Sequence, residues 1–258
     1  MNKFTVANQK GGVGKTTLSV HMAFRHADNN KSVLFIDYDS QRNSTSTLAK
    51  RYDVIFRTID LFDEDMELPD IEPEKGKVYV IEASADLADV ERYANKAVLL
   101  PAEKLKKYDG LFDYCIQDTP PSLGLRLIAA LIHSDFVVSP FELTSYSTEG
   151  IIDLHSTIDG VKQQFNPELE WLGMMPNRVN SHSKRQKEAL KDYIQQFQDY
   201  LINQPLVTRD SIEQATDEGV PVWEIKKSSA RVASQDMEGA LEFIDDLVKR
   251  RALEGGAS

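Results

Sequence analysis

Residues 8–17 read Asn8-Gln9-Lys10-Gly11-Gly12-Val13-Gly14-Lys15-Thr16-Thr17. The apolar run Phe4 to Ala7 precedes them and reads as a buried strand; Leu18 to Ala27 follows and reads as a helix. A glycine-rich turn between a strand and a helix gathers unpaired backbone N–H groups and the positive end of a helix dipole around one point, and both favour an anion. Gly11, Gly12, Val13 and Gly14 supply the cradle. Lys15 can reach the β- and γ-phosphates of a nucleotide, the Thr16 hydroxyl can ligate Mg²⁺, and Thr17 continues into the helix. A surface turn with incidental lysines is the alternative, and the flanking strand and helix argue against it.

The strict phosphate-loop pattern requires Gly where this chain has Gln9. In compensation the chain carries a second lysine, Lys10, at the front of the loop.

With 258 residues, and about 150 per domain as a prior, the chain suits one large domain or two small ones. No run of Pro, Gly and Ser divides it, so residues 1–258 are expected to form one domain, with 253–258 a frayed tail. The 41% hydrophobic share allows a substantial core. No apolar run approaches the ~18 residues of a membrane span. Met1 leads directly into a strand, so neither a signal peptide nor an N-terminal DNA-binding module is expected. Cys115 is the only cysteine, which excludes internal disulfides and cysteine metal clusters and fits a cytosolic setting. The net charge of -11 argues against a general nucleic-acid binder, though it leaves a local basic patch open.

Ser32 to Ile36 is a second apolar run, ending at Asp37-Tyr38-Asp39-Ser40-Gln41. Carboxylates at the C-terminal end of a strand in an open α/β sheet lie where ligands bind. Asp39 can orient an attacking water or hold a metal through water; a helix-capping cluster is the plainer alternative. Residues 49–76 are polar and acidic and read as short helical pieces and loops with a solvated face. Lys77 to Ile81 reads as a strand, and Ala83 to Lys107 as mostly helix broken at Pro101. Leu111 to Asp118 is a strand that again ends in a carboxylate. Asp118 suits a Mg²⁺ held through water, and Thr119-Pro120-Pro121-Ser122-Leu123-Gly124 suits a loop that senses the γ-phosphate. The polar Gln117 has no evident reason inside this strand. Helices are expected at Leu125 to His133, Thr144 to Gln164, Lys184 to Tyr200 and Ser229 to Arg251. Strands are expected at Asp135 to Ser139, Glu170 to Met175 and Leu206-Val207. About seven strand candidates alternating with helices predict a doubly wound, mostly parallel α/β sheet covered on both faces.

Lys10 to Thr17, Asp37 to Gln41 and Asp118 to Pro121 together resemble the ParA branch of the ParA/MinD family of deviant Walker A ATPases, which are P-loop NTPases. Pro140 to Gly150 and Asn177-Arg178 are similar too, and the resemblance spans essentially the whole chain. It implies a cytoplasmic, nucleoid-associated ATPase that uses ATP and Mg²⁺ and dimerises when ATP-bound. Lys10 would reach the partner subunit's phosphates, Lys15 would hold the β- and γ-phosphates, and Asn177 would meet the adenine. Thr16 would ligate Mg²⁺, Asp39 would place the attacking water and Asp118 would hold the metal's water shell. It also implies non-specific DNA binding, release by a ParB-like activator or cargo adaptor, and a role in segregating DNA or positioning a large cargo. The missing N-terminal extension resembles the short forms of the branch. Ser40 and Arg42 depart from the Pro and Gly usual there.

For DNA the candidates are Lys184, Arg185 and Lys187, then Arg209, then Lys226, Lys227 and Arg231, of which the last three are preferred. Two other functions compete. A MinD-like membrane-cycling ATPase would need a basic, apolar-faced C-terminal helix, whereas Glu242, Asp245 and Asp246 make this one acidic; no membrane contact is expected. A P-loop metabolic synthetase would need a substrate motif, and none is evident.

Overall fold

Side chains along the central strands divide by parity between two cores. In the computed structural model, Phe4 and Val6 of β1 (Asn2–Val6) and Val33 and Phe35 of β2 (Val33–Asp37) face one apolar cluster. Leu34 and Ile36 face the other. A strand buried on both faces needs helices on both. Residues 1–143, 148–180, 183–197, 200–202 and 204–255 are described by the structure.

The remaining strands are β3 (Asp53–Arg57), β4 (Val78–Glu82), β5 (Tyr114–Asp118), β6 (Phe136–Glu142) and β7 (Glu170–Asn177). They form a seven-stranded sheet in the order β3-β4-β2-β5-β1-β6-β7, with every pairing parallel. This is the doubly wound, parallel α/β architecture expected from the sequence. One face is covered by α1 (Lys15–Asp28), α7 (Asp210–Glu218) and α8 (Ser228–Gly255). The other is covered by α3 (Leu100–Leu105), α4 (Leu125–Ile132) and α5 (Thr148–Gln164). The short α2 (Asn43–Leu48) follows β2, and α6 (Lys184–Phe197) packs beyond β7.

Several expectations are corrected. Asp53–Arg57 forms the edge strand β3, although it lies in the stretch read as helical pieces and loops. Its apolar run, Val54-Ile55-Phe56, is short, sits between the charged Asp53 and Arg57, and is only partly buried. Leu206-Val207 makes only an isolated bridge, Val179 to Val207. Residues 83–107 are mostly 3₁₀ turns, and the α-helical part is short; Pro101 lies in the first turn of α3 and does not break it, because that turn needs no proline N–H. β6 runs through Pro140 and β7 through Asn177. α8 extends to Gly255, so residues 253–255 are helical and not frayed, while 256–258 lie outside the described residues. The start expected for α5, residues 144–147, and the end expected for α6, residues 198–199, lie outside them too.

The apolar stripe of α8, Met237, Ala240, Leu241, Ile244 and Val248, is buried in the core against α1 and the sheet. That face is therefore not free to enter a bilayer. Among the described residues, no helix is long and apolar enough to cross a membrane. Gln117 finds its reason in the tertiary structure: its Nε2 donates to Thr5 Oγ1 (3.1 Å), Ala130 O (3.1 Å) and Ser134 Oγ (2.8 Å), pinning β5 to β1 and α4.

Candidate functional site

The loop between β1 and α1 is held by its own side chains. Asn8 Oδ1 accepts the Lys10 N–H at 2.9 Å, a local turn that bends the chain back. Its Nδ2 donates to Pro140 O at 2.8 Å, fixing the loop to β6. Gly14 forms the N-cap of α1 at φ 93°, ψ 23°, and no side chain caps that terminus. The unpaired amides of the first turn are thus directed at the loop. Lys15 is buried, and its Nζ donates to Lys10 O at 3.0 Å. Burial lowers its pKa, while the charges of Asp118 and Asp39 oppose that shift.

Two carboxylates end adjacent strands beside the loop. Asp37 and Asp118 are register partners across β2 and β5. Asp37 accepts from the Thr45 N–H (2.9 Å), the Thr45 hydroxyl (2.7 Å) and the Asp39 N–H (2.9 Å). Burial nonetheless raises its pKa. Asp118 is pushed up to about 7, first by burial and next by the charge of Asp37, against the Thr16 bond and the Lys15 charge. Asp118 Oδ2 accepts the Thr16 hydroxyl at 2.8 Å. Its Oδ1 is buried with no hydrogen-bond partner among the described residues.

That unpartnered oxygen tests whether Mg²⁺ fits. A buried carboxylate oxygen beside a hydroxyl, at the rim of an anion cradle, is the donor chemistry of a magnesium ion that keeps most of its water. Among the described residues no group of three or more His, Cys, Asp or Glu is placed to hold a metal. Thr16, water and nucleotide oxygens would therefore supply the shell, with Asp118 behind them. Asp39 is half-exposed on a cavity of about 310 Å³, which is also lined by Gly11, Gly12, Gly14, Lys15 and Thr16. Its Oδ1 accepts the Gln41 N–H at 3.0 Å.

Comparison with known proteins agrees with this geometry. The family described as AAA domain matches residues 1–171. Protein IncC from Escherichia coli is 34% identical over 252 residues, covering 95% of this chain and 69% of that protein. Chromosome partitioning protein ParA from Myxococcus xanthus is 34% identical over 194 residues, covering 72% and 68%. This chain belongs to the ParA/MinD family of P-loop ATPases. The structure of McdA from Cyanothece superposes with a TM-score of 0.80 at 21% identity, covering 96% of this chain and 99% of that one, which bears on the fold alone. Cobyrinic acid a,c-diamide synthase from Mycobacterium smegmatis, 25% identical with a TM-score of 0.70 and covering 84% of this chain and 91% of that one, has been solved with ADP or an ATP analogue and magnesium.

Within the ParA/MinD frame, the remaining expected residues are placed as follows. Lys10 is half-buried at the front of the loop, beside the Lys15 ammonium that its carbonyl receives. Val13 is buried, and its carbonyl accepts Asn177 Nδ2 at 2.8 Å. Asn177 Oδ1 accepts the Arg178 N–H at 2.8 Å. The amide of Asn177 thus braces the loop, with its second Nδ2 hydrogen and second Oδ1 lone pair left over for a further contact. Thr17 lines the cavity. Arg42, where the branch usually has Gly, stands at φ 61°, ψ 26°, the left-handed region that glycine occupies without strain. Its guanidinium pairs with Glu82 at 3.1 Å. The sequence reading missed Asn8 and Asp37 as site residues; Asn8, two positions before Lys10, carried a readable turn signal.

The DNA candidates fall on separate elements. Lys184, Arg185 and Lys187 are exposed on α6. Lys226, Lys227 and Arg231 are exposed around the start of α8, with Lys227 Nζ donating to Gln214 Oε1 at 2.6 Å. Arg209 is paired with Asp236 at 2.9 Å.

Proposed function

We propose that this chain is a partition-type ATPase that hydrolyses ATP to ADP and phosphate with Mg²⁺. It dimerises on ATP, binds DNA without sequence preference in that state, and is released when a ParB-like activator or cargo adaptor stimulates hydrolysis. Such a cycle segregates plasmid or chromosomal DNA, or positions a large cargo, in the cytoplasm and over the nucleoid. The supporting observation is the junction of the Lys10–Thr17 loop with Asp118 through the 2.8 Å Thr16 bond, with Asp39 on the same cavity.

The residues divide the work by position. The loop amides and Lys15 hold the β- and γ-phosphates, where charge-assisted bonds are strong. Thr16 and Asp118 would hold Mg²⁺ and its water shell, which would supply positive charge at the phosphate oxygens. Asp39, at the cavity wall, orients the attacking water. Lys10 provides a cation to the other subunit's phosphates, as an arginine finger does elsewhere.

Turnover of ATP, measured with and without non-specific DNA and followed by light scattering for mass, tests this reading. We expect slow hydrolysis that DNA raises, and a dimer with ATP but not with ADP. Lys10→Ala should retain ATP binding and lose dimerisation or turnover. A monomer that hydrolyses ATP indifferently to DNA, with Lys10→Ala unchanged, would rule the reading out.

A further inference from the structure

One guanidinium joins the segment carrying Asp39 to the segment that follows Asp118. Arg126, the second residue of α4, has only 9% of its side chain exposed. Its Nε donates to Glu91 Oε1 at 2.8 Å, and its Nη1 donates to Tyr38 O at 3.3 Å. From the other side, the Tyr38 N–H donates to Asp118 O at 2.8 Å. The residue between Asp37 and Asp39 is therefore gripped twice, by β5 through its N–H and by α4 through its carbonyl. The second oxygen of Glu91 accepts the Leu125 N–H at 2.7 Å and so satisfies a first-turn amide of α4.

This arrangement needs a planar fork. A guanidinium can meet a carboxylate and a carbonyl at fixed angles, whereas an ammonium is a point donor. It also needs Gly124. A Cβ there would lie 2.1 Å from Glu91 Oε2, although the backbone at φ -87° suits any residue. The missing side chain at 124 makes room for the carboxylate that holds Arg126. Neither Arg126 nor Glu91 lines the nucleotide cavity.

We propose that Arg126, braced by Glu91, is a positioning residue for ATP hydrolysis: it sets the placement of Asp39 relative to Asp118 and residues 119–124. It acts on the chemical step and leaves nucleotide affinity alone, because the cradle of residues 10–17 is held by separate bonds from Asn8 and Asn177. The inference rests on the ATPase reading of that cradle.

Three variants test it: Gly124→Ala, Glu91→Gln and Arg126→Lys. Gly124→Ala is the sharpest, since it alters neither member of the pair and its clash is with the carboxylate end of Glu91, which must swing away from Arg126 and the Leu125 N–H. For each, steady-state kcat and KM, the Kd of an ATP analogue and the unfolding temperature are measured. We expect kcat to fall about tenfold or more in all three at a temperature where each variant is folded, with Kd within roughly twofold. Wild-type kcat in Gly124→Ala and Glu91→Gln overturns the proposal. So does a kcat that falls only in step with unfolding temperature, which would leave Glu91 as a helix cap alone, or only in step with Kd. If Arg126→Lys does not fold, the other two decide. A wild-type chain with no ATP turnover would sink the ATPase reading first and this inference with it.

Discussion

Replacing Gly14 with alanine strikes the loop where it is most closely built. Gly14 stands at φ 93°, ψ 23°, where a Cβ costs about 1–2 kcal/mol. The added Cβ would lie 1.9 Å from Asn177 Nδ2 and 3.2 Å from its Cγ. The Asn177 amide must therefore leave, abandoning its 2.8 Å bond to Val13 O. Leaving such buried partners unpaired costs about 1–3 kcal/mol. Together the cost is about 2–5 kcal/mol. Gly12 is the internal control: it is also left-handed, at φ 78°, but nothing among the described residues lies within 4 Å of its Cβ position. Gly12→Ala should cost only the backbone term, about 1–2 kcal/mol. Urea unfolding midpoints of the two variants, read with a common slope, give the difference directly. Adding Asn177→Ala to Gly14→Ala should cost less than the two single changes summed, because the clash disappears with the amide. Equal costs for the two glycines, or strict additivity in the double variant, would refute the reasoning.

Lys15→Ala should lower ATP affinity about 100-fold or more while the chain still folds, since charged hydrogen bonds to phosphate contribute about 1.5–3 kcal/mol each; titration with a fluorescent ATP analogue checks this. His133 is buried, neither ring nitrogen has a partner among the described residues, and burial, then the charge of Lys3, lowers its pKa to about 3. The unfolded chain binds this proton below about pH 6.5 and the folded chain does not, so His133 costs stability increasingly as pH falls from about 6.5 toward 3. His133→Leu should therefore be more stable than the wild type by a margin that widens by about 2 kcal/mol between pH 7 and pH 5. A margin independent of pH in urea titrations would contradict the neutral state of the ring. Changing Lys226, Lys227 and Arg231 together to alanine should weaken ATP-dependent DNA binding and reduce its salt slope by about 0.9 per lost phosphate contact; an unchanged slope would move the patch to α6.

The phosphate loop and the alternation of strands with helices were legible in the amino-acid sequence because both are local. Gly12, Gly14, Lys15 and Thr16 announce an anion cradle through their order along the chain. The apolar runs at residues 4–7, 32–36 and 111–118 announce strands buried on both faces. The acidic ends at Asp39 and Asp118 were visible for the same reason. The edge strand Asp53–Arg57 was not, because its side chains are half-exposed and its strand conformation is supplied by pairing with β4. Gln117 looked anomalous until Thr5, Ala130 and Ser134 were brought around it. That Asn177 also donates to Val13 O, 164 residues earlier in the chain, was not legible in the sequence.

Composition, loop order and residue periodicity thus determined the fold class, the kind of ligand and the lysine that marks the family. The tertiary structure decided which carboxylates share a field, that Thr16 and Asp118 meet, and that Arg126 grips Tyr38 across 88 residues. Those facts depend on strand register and on helix packing against the sheet. Such contacts join residues far apart along the chain, and no local pattern of residue types records which of them will meet.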